Sequence, residues 1–239
     1  PAAFLSFRDQ TVCDRVRQIR KADLCKHPTA NFKLRIIEDE GNLFFQFVAH
    51  VVAGIRRARE EGRKFVVILP APWPHYRWVA HLINSMGIDC SHVHTFNMDE
   101  WADQDGKAAP RDWPHGFQYH MFDDLFSRID RKLRIPEKQI HFPDERNVGE
   151  YSRRIEDLGG ADVCYGGIGW CGHVAFFESH LGEEFGGDID AYLDAGARLV
   201  ELHPVTIMQS TVYADTGSSG DWAYVPPKAY TVGPRDLRN

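Results

Sequence analysis

Apolar residues follow helical and strand patterns along most of the chain. Across residues 42–61 they recur at the three- and four-residue spacing of an amphipathic helix, which we expect to end at Gly62. The next segment, KFVVIL at 64–69, is an almost unbroken apolar and β-branched run. Such a run is typical of a strand buried on both faces of a parallel sheet. A helix over 77–86, closed by Gly87, and a strand over 92–96 come next.

Strands and helices with short connections continue toward the carboxyl end. The pattern predicts a loop over 101–116, which could act as a lid, a helix over 117–129, a strand over 139–142 and a helix over 148–158. Further strands are predicted at 163–168, 198–203 and 229–232, whereas 179–197 is acidic, glycine-punctuated and without clear periodicity. This order predicts an α/β fold, a three-layer Rossmann-like domain with a mostly parallel sheet flanked by helices.

The length of 239 residues fits one α/β domain. Residues 1–40 mix charged and scattered apolar positions, and we interpret them as an N-terminal extension laid on a single α/β domain of residues 41–239. The chain stops at Asn239 soon after a predicted strand. Because a sheet of this kind seldom ends that way, we expect the native protein to continue and the domain to be truncated at its C-terminus.

Composition narrows the class of protein. The net charge is −6 and there is no basic run, which argues against nucleic acid as a partner. No apolar stretch approaches the roughly 20 residues that span a bilayer, so no membrane partner is expected. The five cysteines are odd in number and lack CxxC spacing, which favours free thiols in a reducing, cytoplasmic location over disulfides or a structural zinc site.

A glycine-rich turn follows the predicted strand at 163–168. Glycine lets the backbone approach a ligand closely, so we expect three of these residues to line a substrate site: Gly167, Gly169 and Gly172. Groups that can carry or accept protons come directly afterwards, namely Cys171, His173 and Glu178. Ligands of open α/β sheets bind at such strand ends. On its own the stretch is equally compatible with a structural turn.

A second polar stretch, FNMDEW at 96–101, follows the predicted strand at 92–96. It carries Asp99 as a candidate general base and Glu100 as a candidate substrate ligand. A carboxylate at a strand end beside an apolar residue can have its pKa raised by loss of hydration. The alternative roles are a helix cap or surface group for Asp99 and a core histidine for His173.

Together, FNMDEW and GGIGWCGHVAFFE at 166–178 resemble the glucosamine-6-phosphate deaminase (isomerase) family, whose patterns are close to FNMDEY and GGxGxDGHxAFNEP. The resemblance covers the chain from about residue 42 onward. The related 6-phosphogluconolactonases share the fold but lack these residue patterns. Family members convert an amino sugar phosphate into a keto sugar phosphate and ammonia. No metal or organic cofactor is implied, since Cys171-Gly172-His173 is too compact a pair, with no matching second pair, to predict a zinc site. The resemblance therefore implies a sugar or sugar phosphate as partner and allows for a homo-oligomer.

The resemblance also implies roles for individual residues. Asp99 matches the base that moves a proton between C2 and C1, His173 matches the acid/base that opens the sugar ring, and Glu178 matches a carboxylate that orients this histidine. Cys171 stands where the family has an aspartate. A neutral thiol is a weak hydrogen-bond partner and cannot simply replace a carboxylate.

The loop after the first strand differs from the family pattern. Where the family holds the sugar phosphate on PTGGTP, this chain has PAPWPHY at 70–76, whose prolines lack backbone N–H donors. Trp73 and His75 are the candidate substrate contacts here, the former for stacking on a sugar ring. His75, Arg77 or Lys228 could supply the missing recognition of an anion, although each is also a common surface or packing residue.

Three functions are compatible with these residues. The leading hypothesis is a glucosamine-6-phosphate deaminase-like enzyme of amino sugar metabolism, with Asp99 as base, His173 as ring-opening catalyst and a substrate that need not be phosphorylated. The second is a catalytically inactive sugar-binding or regulatory homologue, which Cys171 and the altered loop favour. The third uses Cys171 as a nucleophile beside His173.

Overall fold

A computed structural model describes residues 9–27, 29–212 and 220–238. The chain divides into two compact units, residues 1–46 and 47–239. The first contains helix α1 (Gln10–Arg17), whose start is capped by Asp9 accepting a hydrogen bond from the Val12 backbone N–H at 2.9 Å. None of its described side chains is buried. The boundary between the units falls within α2 (Glu40–Glu60), and the assignment of residues 1–40 as an extension stays a prediction.

The second unit contains alternating strands and helices. In chain order after α2 they are β1 (Phe65–Leu69), α3 (Tyr76–Met86), β2 (Val93–Asn97), β3 (Asp99–Ala102), α4 (Phe117–Asp124), β4 (Ile140–His141), α5 (Val148–Asp157), β5 (Val163–Cys164), α6 (Ile189–Leu193), β6 (Arg198–Glu201), α7 (Pro204–Ser210), β7 (Lys228–Thr231) and α8 (Pro234–Arg238). The predicted elements from α2 to α5 are present, with boundaries that differ by a few residues. The predicted helix over 117–129 ends early and continues as a 3₁₀ turn, Phe126–Arg128.

Four parallel strands form the main sheet, in the order β4-β2-β1-β5. All five residues of β1 are buried, as its apolar run predicts. Val67 and Leu69 belong to the core beneath α2 and α3, whereas Val66 and Ile68 belong to a second core that includes Tyr151 of α5. Since successive side chains of a strand face opposite sides, helices cover both faces of this sheet. The predicted three-layer α/β fold with a mostly parallel sheet is confirmed.

A second, antiparallel sheet has the order β3-β7-β6. The sequence predicted strands near β6 and β7 but placed no separate sheet there, and it assigned the second half of β3, Trp101 and Ala102, to a loop. The strand predicted at 163–168 is also shorter, since β5 ends at Cys164, before the glycines begin. Among the described residues, no helix is both long and apolar enough to cross a membrane.

The backbone of Met98 connects the two sheets. Its N–H donates to the Leu69 carbonyl at 2.7 Å, and its carbonyl accepts from the Val232 N–H at 2.9 Å. Asp99 follows immediately and pairs with Thr231 across β3 and β7. The junction of the sheets therefore places Asp99 beside the carboxyl ends of β1 and β2.

Candidate active site

Asp99 is a buried carboxyl group with two hydrogen-bond donors. Its Oδ1 accepts from the Thr231 hydroxyl at 2.6 Å and from the Phe176 backbone N–H at 3.2 Å. Burial raises the pKa of Asp99 to about 7, although both hydrogen bonds and the nearby His173 act in the opposite direction. A carboxyl group with this pKa can both accept and return a proton near neutral pH.

The turn at residues 172–177 aims a backbone donor at this carboxyl. Gly172 has a φ of +84° and Ala175 a φ of +57°, both in the left-handed region. That region is costly for alanine, so a strained backbone conformation is held here by the surrounding structure. The Phe176 N–H that follows is shared between Asp99 and the Thr231 hydroxyl, which lies 2.9 Å away.

His173 is mostly buried, and its Nδ1 atom faces three polar groups. The Cys171 Sγ lies at 3.0 Å, the Thr206 hydroxyl at 3.1 Å and the Glu178 Oε1 at 3.3 Å. Burial alone would lower the pKa of His173, but the interactions with Glu178 and Cys171 outweigh it and raise the pKa above its ordinary value. The imidazole therefore keeps its proton to a higher pH than a free histidine side chain does.

Glu178 is fully buried and anchors this histidine. Burial would raise its pKa, but hydrogen bonds with His173, Thr206 and the His203 backbone N–H together lower it. The carboxylate is thus anionic at neutral pH. Its charge fixes the orientation of the imidazole and stabilises the imidazolium form.

Because Gly169 has no side chain, the imidazole of His173 can pack directly against its backbone. A Cβ atom built on Gly169 would lie 2.1 Å from Nε2 of His173, far inside van der Waals contact. Its N–H also donates to the His173 carbonyl at 2.9 Å, and its carbonyl accepts from the Gly172 N–H at 2.9 Å. A Cβ on Gly167, in contrast, would meet no atom within 4 Å. Of the glycines predicted for the site, Gly169 is the one required by the histidine itself.

The remaining predicted substrate contacts lie in other surroundings. Glu100 is buried, and its carboxylate accepts backbone N–H donors from Trp101, Phe117 and Gln118 at 2.7–3.0 Å. It thereby satisfies the first turn of α4, an arrangement that favours a negative charge. Burial nevertheless raises the pKa of Glu100 to about 7.

Trp73 and His75 belong to an aromatic group in the loop after β1. The Trp73 ring lies 5.5 Å from that of Phe47 and 6.2 Å from that of His75, both in edge-on geometry. The two cations considered for anion recognition have acidic partners. Arg77 contacts Asp124 at 2.5 Å, and Lys228 lies 3.7 Å from Glu201.

The site also contains two threonines that the sequence analysis did not single out. Thr231 donates to Asp99, and Thr206 lies against His173. Thr231 could have been noticed from the sequence, because it is a polar residue inside the apolar strand segment at 229–232. No pattern in the sequence marks Thr206. Cys171, His173 and Glu178 also form the one set of described residues whose side chains are arranged as metal ligands, with the three ligand atoms within 4.8 Å of one another.

Comparison with known proteins identifies relatives that cover most of the chain. No protein-family model matches the chain. It is 33% identical over 208 residues to glucosamine-6-phosphate deaminase of Caenorhabditis elegans, covering 83% of this chain and 69% of the relative. Glucosamine-6-phosphate deaminase 1 of Giardia intestinalis is 30% identical over 193 residues, covering 78% and 64%. The Mannheimia succiniciproducens deaminase is 28% identical over 182 residues, covering 72% and 60%.

Solved structures agree with this fold. A monomeric glucosamine-6-phosphate deaminase superimposes with a TM-score of 0.63 at 22% identity, covering 81% of this chain and 73% of that one. A 6-phosphogluconolactonase from Thermotoga maritima gives 0.56 at 20% identity, covering 85% and 78%. These two likenesses concern the fold alone. The Caenorhabditis elegans relative, 33% identical over 83% of this chain, shows that the chain belongs to the glucosamine-6-phosphate deaminase family.

Proposed function

We propose that this protein catalyses the isomerisation and deamination of an amino sugar, or of an amino sugar phosphate, to a ketose and ammonia. The observation that carries the proposal is the buried Asp99, whose pKa is raised to about 7 by burial and lowered in part by the charge of His173. The charge of His173 therefore reaches Asp99 and favours its ionised form. Membership of the deaminase family supplies the reaction type.

Asp99 acts as the base on the carbon skeleton. In its ionised form it removes the proton from C2 of the open-chain sugar and returns it to C1, so that the amino aldose becomes the C2 imine of the ketose. The hydrogen bonds from Thr231 and Phe176 hold Oδ1, which leaves Oδ2 as the atom that meets the substrate. A pKa of about 7 suits this reversible transfer.

His173 opens the sugar ring before that step. Glu178, Cys171 and Thr206 occupy the Nδ1 side of the imidazole, which leaves Nε2 to exchange a proton with the ring oxygen. The raised pKa of His173 favours the protonated donor that this step needs. After the proton transfer by Asp99, water adds to the C2 imine, the C2–N bond breaks, and the ketose and ammonia are released.

The end of the substrate that carries the phosphate in this family is recognised by other residues in this protein. The segment 70–76 offers prolines in place of glycine N–H donors, and Arg77 and Lys228 are engaged by Asp124 and Glu201. These contacts favour an unphosphorylated or differently held sugar, with Trp73 as a stacking surface. The five cysteines are free, which agrees with a cytoplasmic enzyme. A homo-oligomer stays part of this proposal.

The test is ammonia release from glucosamine 6-phosphate, glucosamine and N-acetylglucosamine. Wild-type protein should release ammonia from at least one amino sugar, and Asp99→Asn should lose that activity while retaining its fold by circular dichroism. Asp105→Asn, which alters an exposed carboxylate, is the matched control and should behave like wild type. Sugar-dependent thermal stabilisation with no ammonia from any of the three would contradict the proposal and favour a binding homologue.

A further inference from the structure

The side chains of Cys171, His173 and Glu178 bring their polar atoms together, next to the Thr206 hydroxyl. Nδ1 of His173 has a single hydrogen-bonding direction, yet it faces Cys171 Sγ, Thr206 Oγ1 and Glu178 Oε1 at 3.0–3.3 Å. Sγ also lies 3.9 Å from the Glu178 Oε1 and 3.6 Å from the Thr206 hydroxyl. One proton on Nδ1 can satisfy only one of these neighbours at a time.

The spacing of the three ligand-type atoms fits a single small cation. They are separated by 3.0 Å (Sγ to Nδ1), 3.3 Å (Nδ1 to Oε1) and 3.9 Å (Sγ to Oε1). Tetrahedral zinc, with bonds of about 2.0–2.3 Å, places its ligand atoms about 3.3–3.6 Å apart. Adjustments of a few tenths of an ångström would bring all three onto one ion.

The chemistry of the donors selects the type of ion. A thiolate sulfur, an imidazole nitrogen and a carboxylate oxygen form a mixed set that suits zinc and cobalt, whereas magnesium and calcium prefer oxygen alone. Glu178 is fully buried and His173 nearly so, so the ligands are held by the fold rather than by mobile surface side chains. The neighbouring Thr206 hydroxyl or a water completes the fourth position.

We propose that Cys171, His173 through Nδ1, and Glu178 bind one zinc-class divalent ion. On binding, the Cys171 thiol gives up its proton to solvent as the sulfur–metal bond forms. Nδ1 donates its lone pair to the ion, so that any proton on Nδ1 is released and the neutral imidazole carries its remaining proton on Nε2. No oxidation or reduction is involved.

If His173 opens the sugar ring as in the proposed function, the bound ion prevents ring opening. With the ion on Nδ1 and a proton on Nε2, the imidazole cannot take up a second proton, so the imidazolium that protonates the ring oxygen does not form. The ion and the acid/base cycle of His173 are therefore mutually exclusive. The replacement of the family's aspartate by Cys171 would therefore make the activity sensitive to inhibition by zinc. Removal of the zinc with a chelator would restore the activity.

Cobalt titration of chelator-treated full-length protein tests the site without any sugar. Wild type should bind one Co²⁺ with an intense near-ultraviolet sulfur-to-cobalt charge-transfer band, and Zn²⁺ should displace it. Cys171→Ser should lose the band, and Glu178→Gln should weaken binding in competition with a chromophoric chelator. Cys164→Ser removes a partly buried thiol in β5 and should leave the band unchanged.

Each alternative outcome is distinct. Absence of the band from folded wild-type protein, or its survival in Cys171→Ser with loss in Cys164→Ser, would overturn the metal site. Thermal unfolding of each variant separates loss of a ligand from loss of the fold. Ammonia release that is unaffected by stoichiometric Zn²⁺ would overturn the switch, whereas zinc binding without ammonia release from any sugar would leave the site standing and remove the proposed function.

Discussion

The contact between Gly169 and His173 gives the sharpest test of the site geometry. In Gly169→Ala the new Cβ would lie 2.1 Å from Nε2, 2.3 Å from Cε1 and 2.6 Å from Cδ2 of the imidazole. The ring must therefore move by about 1 Å to restore ordinary contact distances. That movement separates Nδ1 from Cys171, Thr206 and Glu178, which hold it at 3.0–3.3 Å.

The expected cost follows from this displacement. Forcing an extra methyl group into a packed site lowers the free energy of unfolding by about 1–3 kcal/mol. Misplacing a catalytic group by about 1 Å reduces turnover on the order of 100-fold. Urea unfolding and ammonia release would measure the two effects separately.

Gly167→Ala is the matched control for this substitution. It adds the same methyl group two residues away, where the Cβ meets no atom within 4 Å. We expect its unfolding free energy to stay within about 0.5 kcal/mol of wild type. Equal stability and equal activity of the two alanine variants would refute the contact between Gly169 and the imidazole.

Three further predictions concern the buried carboxyl groups. The 2.6 Å hydrogen bond from Thr231 lowers the pKa of Asp99. Thr231→Val removes this bond and so raises that pKa, and the acidic limb of the pH–rate profile should move to higher pH. Glu100→Gln replaces one acceptor oxygen by an amide group that cannot accept the N–H facing it, and should lower the unfolding free energy by about 1–3 kcal/mol in urea denaturation. Burial raises the pKa values of Asp99 and Glu100 to about 7, so the folded chain keeps protons that the unfolded chain releases near pH 4, and stability should fall as the pH rises from about 4 to 7. Asp99→Asn should make this decline shallower, and an unchanged slope would contradict the raised pKa.

The sequence predicted the parallel sheet because its signals are local. The run FVVIL is typical of a strand buried on both faces. The apolar face of α3 lies within eleven consecutive residues, and the glycine that ends the helix, Gly87, follows directly. The antiparallel sheet was not predictable in the same way. β3 is the polar segment DEWA, and its burial depends on pairing with β7, which lies more than 100 residues away in the chain.

The candidate site divides along the same line. Asp99, His173, Glu178 and Cys171 stood out because two short motifs contain them, and the structure brings the last three into contact. The contact between Thr206 and His173 depends on packing between distant segments. Glu100 was expected at the substrate, but the position of α4 that gives its carboxylate three backbone donors lies beyond any local pattern.

The central claim is that Asp99 moves a proton between C2 and C1 of the sugar. The most direct measurement is the proton NMR spectrum of the ketose formed from the best amino sugar substrate in deuterium oxide. The account predicts that wild type and Asp105→Asn carry the substrate's own C2 hydrogen to C1 in a fraction of the product, in competition with deuterium from exchange of the Asp99 proton, and that folded Asp99→Asn forms no ketose. Formation of the ketose by Asp99→Asn at a rate close to that of wild type would contradict it.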